Sequence, residues 1–204
     1  MRGRLRSDQY NEDWERVIAA FQRRFVERFI KPADVVLEQD KDEVIPEGRG
    51  FAVLALDCLL LESLYGYQHG RHTRSSGATS EAFEKILLEE PFRKWFEPQD
   101  RASRFGRAVR NGILHDGETR DGWIVWKAWG DDPPMLKGEP DGRIRIYRDV
   151  FHTSVVRYVE TYFAKLRDQS ADGAELRENF KCRVNELCHE SEPTPRAAEA
   201  KAER

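Results

Sequence analysis

Cysteine is scarce: Cys58, Cys182 and Cys188 are odd in number and irregularly spaced in 204 residues. That argues against a disulfide framework and fits reduced intracellular thiols. An excess of one charge is also missing. Charged residues make up 35% of the chain yet nearly cancel, at formal net charge −3 and pI near 6.0. No global field therefore draws the chain onto nucleic acid or an anionic membrane, and any polyanion site must be local. No apolar run is long enough to suggest a bilayer span, and the start, MRGRLRSDQYNEDW, lacks the apolar region of a secretory signal. The expectation is a cytoplasmic protein with no membrane partner. A Walker loop, a dinucleotide fingerprint and a nucleophile elbow are absent, which leaves nucleotide hydrolysis and esterase chemistry without support.

The apolar content that is there, 39% with 11% aromatic, fills one core. The chain reads as a single helical domain over residues 9–189 with a loose polar tail, 190–204, and no internal repeat. Trp14, Ile18, Phe21, Phe25 and Phe29 recur at three- and four-residue steps and predict an amphipathic helix stopped by Pro32, with Arg16, Arg23, Arg24, Arg28 and Lys31 on its other side. Residues 31–50 have the composition of a connection, with at most a short extended piece at Val35 to Leu37. FAVLALDCLLLESLYGY, Phe51 to Tyr67, is apolar almost all round and predicts the central helix of a bundle. Further helices follow from Ser80, interrupted near Pro91, and through RASRFGRAVRNGIL to a cap at Gly117. GWIVWKAW and GRIRIYR flank a turn-rich linker and predict a β-hairpin with a long tip, about residues 120–148. Two last helices begin at Asp149, read as an N-cap, and at Gly173.

One stretch stands out from this plain helical plan: RNGILHDGETR, Arg110 to Arg120. A regular helix puts His115 about 140° round from Arg110. Gly112 and Gly117 cost helix stability, so their presence suggests a close backbone approach or a local unwinding that turns His115 back toward Arg110. Ser103, Gly106 and Arg110 form a small-residue stripe along which a second copy of the helix would fit. On periodicity alone Arg110 reads as a surface ion pair and His115 as a helix-terminal residue meeting the last carbonyls. The pair also has a chemical use. Cleaving RNA by its own 2′-hydroxyl needs a group that exchanges a proton near neutral pH, which His supplies, and a fixed cation for the charge on the phosphorane, which Arg supplies. Neither role requires a metal or another cofactor.

Arg110-Asn111-Gly112-Ile113-Leu114-His115 resembles the R-x4-6-H motif of the HEPN superfamily, in the form Arg-Asn-x-x-x-His near the end of a bundle helix, and the likeness extends over roughly Trp14 to Arg167. The resemblance implies a mainly α fold, a HEPN-like helical bundle with the β-hairpin inserted before the last helices. It also implies a homodimer and a metal-independent endoribonuclease of toxin–antitoxin or antiviral systems, with RNA as substrate and an antitoxin or activator as a further partner. Arg110 and His115 would be catalytic and Asn111 a supporting polar residue. Other members keep the fold and only bind nucleic acid, nucleotide or protein, which is the alternative reading. The chain departs from the nucleotidyltransferase-paired toxins, whose motif continues His-x-Tyr, because Gly117 stands in the tyrosine position.

Asp57 and Glu62 are the charged residues of the central helix, and burying either one unpaired is costly, so each needs a partner. Five residues apart, they do not share a face, and at most one reaches Arg110 to support or orient the motif; a purely structural ion pair is the equal alternative. His69, Arg71, His72 and Arg74 make a basic loop that is either solvated or set against an RNA backbone. Cys182, Cys188 and His189 lack the four-ligand pattern of structural zinc and read as core cysteines on a helix. Trp123, Trp126 and Trp129 step by three and cannot all face one side of a strand.

Overall fold

The structure is a computed structural model that describes residues 5–39, 49–70 and 78–190, without the side chains of 78–80, 189 and 190. It is mainly helical. Helix α1 (Glu12–Phe25) starts where the Asn11 side chain accepts the Trp14 N–H at 3.1 Å, carries Glu12, Asp13 and Glu15 in its first turn and ends on Arg23 and Arg24. Both ends therefore complement the helix dipole. Trp14, Val17, Ile18 and Phe25 form its buried stripe.

The helix does not stop at Pro32. A π turn (Val26–Ile30) carries α1 directly into α2 (Lys31–Gln39). Pro32 is the second residue of α2, just where the π turn has already broken the i→i−4 ladder, so its missing N–H and its ring cost little there. The segment Val35 to Leu37, expected to be extended at most, is helical.

Helix α3 (Gly50–Gln68) is the centre of the bundle and packs against α2, α4 (Ala78–Ile86), α8 (Arg148–Arg167) and α9 (Ala171–Glu190). It is long and apolar enough to cross a membrane by length and composition, but 61% of its most apolar window is buried within the bundle. Its all-round apolarity is that of a core helix. After α4 and the short α5 (Arg93–Phe96), α6 (Gln99–Phe105), a second π turn (Gly106–Arg110) and α7 (Asn111–Asp116) form one continuous helical stretch. Gly117 ends it in the left-handed conformation at φ 72°, its N–H donating to the Ile113 carbonyl at 3.2 Å.

The expected hairpin is instead a three-stranded sheet in the order β1 (Trp123–Trp126), β3 (Ile144–Tyr147), β2 (Leu136–Gly138). β1 and β3, the two segments expected to pair antiparallel, run parallel, with Trp123 opposite Ile144. The linker supplies the antiparallel partner, because Leu136 is buried and pairs with Ile146 while Gly142, at φ 83°, closes the tight turn from β2 to β3. Asp149 does not cap α8: Tyr147 holds the N-cap position, and the Asp149 carboxylate accepts the Ala128 N–H at 2.9 Å. Trp123 is buried edge-on to Phe105, whereas Trp126 and Trp129 are exposed beneath Arg145 and Lys127. Cys58 is buried, but Cys182 and Cys188 are exposed on α9 and are not core cysteines. The polar stripe of that helix carries them outward.

Candidate functional site

Arg110 ends the second π turn, and its side chain lies half-buried against α3. Its Nη2 and Nε donate to the Glu62 Oε2 at 2.7 and 3.1 Å, and its Nη1 donates to the Asn111 Oδ1 at 2.9 Å. The ion-paired side chains retain only 15% and 12% exposure, so solvent screens them weakly. These bonds occupy three of the five guanidinium N–H groups and hold the plane of the fork while leaving donors free for an anion.

The wall that Arg110 shares faces a cleft of about 360 Å³ between the α1 end with its π turn, α3, the second π turn and α9. Arg24, Arg28, Arg110 and Arg183 line it, against the one carboxylate Glu62. Phe29, Leu59 and Tyr67 are among its apolar lining residues. Each of the two described π turns delivers an arginine here, Arg28 from within the first and Arg110 at the end of the second. A π turn inserts one residue and rotates the side chains beyond it to a new direction, which is why such turns concentrate at functional positions. In a chain of net charge −3 this cleft concentrates positive charge locally.

His115 does not line this cleft. Helix α7 is regular from Asn111 to Asp116, so His115 stands about 140° round from Arg110 and roughly 7 Å further along the axis. It is exposed and forms no hydrogen bond or ion pair with the described residues. The local unwinding expected to return it to Arg110 is absent. Gly112 serves the other expected purpose, a close backbone approach: a Cβ there would lie 2.4 Å from the Glu118 carbonyl oxygen. Residues after the cap fold back along the helix, with the Arg120 N–H donating to the Ala108 carbonyl at 2.9 Å and the Arg120 side chain paired to Asp116.

Asp57 and the small-residue stripe both depart from expectation. Asp57 does not orient the motif. It is 1% exposed and accepts from His152 Nδ1 at 2.8 Å, while His152 Nε2 lies 3.2 Å from Asp34, so a carboxylate–imidazole–carboxylate chain ties α3, α8 and α2 together. Burial pushes the Asp57 carboxyl up against the opposing pull of His152. Burial also works to lower the His152 imidazole, but the hydrogen bond and charge of Asp57, joined by Asp34, outweigh it and hold the imidazole above its ordinary value. The small-residue stripe is not a free dimer face either. Gly106 is buried against Phe83 of α4, 3.4 Å from where its Cβ would be, so the close helix approach it permits is intramolecular.

His69 closes the C-terminal end of α3, its ring stacked on Tyr65 at 4.0 Å and its Nδ1 3.0 Å from the Tyr65 carbonyl, which makes it a helix-end residue. Arg71, His72 and Arg74 lie outside the described residues. Sequence periodicity missed Arg24, Arg28 and Arg183 as cleft residues, although the i, i+4 spacing of the first two was a signal that they share a face. It also missed His152, whose buried position within an apolar helical stripe left no trace of its polar partners.

No family model matches the chain, and no curated protein or solved structure matches it.

Proposed function

We propose that this protein is a cytoplasmic, metal-independent endoribonuclease of HEPN type, working as a homodimer in a toxin or phage-defence role under the control of an antitoxin or activator. The observation that supports it best is the Arg110 guanidinium, fixed by Glu62 and Asn111 on the wall of an arginine-lined cleft. In the reaction the ribose 2′-hydroxyl gives up its proton and its oxygen attacks the adjacent phosphorus. The bond from phosphorus to the 5′-oxygen breaks, and that oxygen takes a proton, leaving a 2′,3′-cyclic phosphate and a 5′-hydroxyl. Arg110 offsets the charge that grows on the phosphorane oxygens. His115 exchanges the protons. Asn111 positions Arg110.

His115 is exposed at the α7 end, outside the cleft of its own chain, so in this reading it acts on a strand held by the partner protomer's Arg110. With Gly106 committed to Phe83, the twofold contact is assigned to the exposed end of α7, where Leu114 and His115 lie side by side. The position of His115 equally favours a second reading, a HEPN-fold module that binds RNA in the cleft without cutting it. Incubating the full chain with mixed RNA in EDTA separates the two. The nuclease reading predicts cleavage that His115→Ala abolishes while RNA binding persists; the binding module predicts retention of intact RNA by both proteins.

A further inference from the structure

The cleft's cations are not alike. Arg110 is committed to Glu62, and Arg183 donates to Glu186 at 2.7 Å. Arg24 and Arg28 are exposed, point into the same cleft and form no ion pair with the described residues. Their surroundings do not lack acids. Neighbouring Glu27 pairs with Lys31 instead, and Arg16, two turns back, pairs with Glu12 and Asp13. Two arginines on successive turns of one wall, without an ion pair among the described residues and opposite a carboxylate-held arginine on the other wall, present positive charge that an external anion would offset.

We infer that Arg24 and Arg28, backed by Arg183, form a second phosphate subsite, so that the cleft holds one RNA strand by two successive parts of its backbone. The inference rests on the reading of Arg110 as a phosphate-binding group and deepens it. Its ligand is a single strand, for two reasons. A cleft of about 360 Å³ is on the scale of a small-molecule pocket, which suits single nucleotide units entering it better than the full width of a duplex. Phe29, Leu59 and Tyr67 line the cleft together with its arginines, and such a mixture of apolar and cationic groups suits the sugar–base faces and phosphates that an unpaired strand offers together. The first π turn contributes directly. It sets Arg28 and Phe29 on the cleft together, one for the phosphate and one for the apolar lining.

The test measures binding of a short fluorescent oligouridylate by anisotropy over a range of salt, using full-length His115→Ala protein so that the strand survives. Replacing both Arg24 and Arg28 with Gln should weaken binding about tenfold or more and flatten the salt dependence by a slope of about 1.4, the release of roughly two single-strand counterions. Arg16→Gln, outside the cleft and already paired, should change neither. Oligouridylate should not be displaced by an RNA duplex of the same length. The inference is overturned if the double variant binds with unchanged affinity and slope, if the parent does not bind the strand, or if the duplex or a mononucleotide at equal concentration competes as well as the strand. Failure of the nuclease reading shows separately, as intact RNA with the unsubstituted chain, and leaves the binding result to be judged on its own.

Discussion

Glu62 and Arg110, 48 residues apart in the chain, meet at 2.7 Å where the central helix faces the second π turn. This contact is what turns a surface arginine into a positioned one. The carboxylate fixes the fork and also competes with any incoming phosphate for it, so Glu62 should affect binding and turnover in opposite directions. In Glu62→Gln the RNA affinity should rise severalfold as the competing charge disappears. The cleavage rate at saturation should fall by about tenfold as Arg110 loses its alignment. Separate determination of kcat and KM checks the split; a parallel fall in both affinity and rate would make Glu62 a scaffold residue only.

Removing the other partner should cost stability. Arg110→Ala leaves the Glu62 carboxylate largely shielded from water without this guanidinium, and the expected loss is about 1–3 kcal/mol, below the full penalty for a deeply buried pair because some exposure remains. Urea denaturation followed by circular dichroism measures it.

Glycine positions near the motif should separate by cause. Gly112→Ala drives a Cβ into the Glu118 carbonyl oxygen, a backbone atom that moves only if the returning segment moves, and should cost about 2 kcal/mol or more. Gly106→Ala meets Phe83 at 3.4 Å and should be nearly neutral, whereas Gly106→Leu should overpack the α4 contact by about 1–3 kcal/mol. The same denaturation curves distinguish the three. Sedimentation of Gly106→Leu should show an unchanged association state while it remains folded.

Stability should fall as the pH rises past neutrality. The His152 imidazole binds its proton more tightly in the folded chain than its ordinary value of 6.5. Its contribution is therefore fully present below about 6.5 and is lost as pH climbs through the higher folded value. Asp57, also raised, contributes in the same sense from its ordinary 3.8 upward. Melting temperatures in matched buffers from mildly acidic to mildly alkaline pH should decline for the unsubstituted chain and show a smaller slope in His152→Gln.

If His115 works on the strand held by the partner's Arg110, two inactive variants should complement each other. An equimolar mixture of Arg110→Ala and His115→Ala, unfolded together and refolded, should regain about a quarter of full cleavage, since roughly half the dimers are mixed and each mixed dimer has one intact site of two. No recovery above the separate variants would place both groups in one chain's site.

Local sequence carried some of this and lost the rest for identifiable reasons. The buried stripe from Trp14 to Phe25, the apolar run of α3 and the cap at Gly117 were legible because each is written in a short window. Pro32 misled, since a proline ends a helix only where the i→i−4 ladder is intact, and the π turn before it is not visible as a periodicity. The parallel pairing of β1 with β3 and the place of Leu136 on the other side of β3 are long-range facts, the second hidden in a turn-rich linker. At the site, the need for partners on Asp57 and Glu62 could be read, and so could the limit that only one reaches Arg110. Which one it was depended on His152 across the bundle. The arginines of the cleft looked like an ordinary solvated face until α3 and α9 closed over their flank.

The role of Arg110 in metal-independent cleavage is tested by end-group analysis of RNA cut in EDTA by the unsubstituted chain and by Arg110→Ala, each first shown to be folded by circular dichroism. Fragments with 2′,3′-cyclic phosphate and 5′-hydroxyl ends are expected from the unsubstituted chain, with a loss of about a hundredfold or more in rate for Arg110→Ala. Cleavage that survives the substitution, or that leaves 5′-phosphate ends, would contradict it.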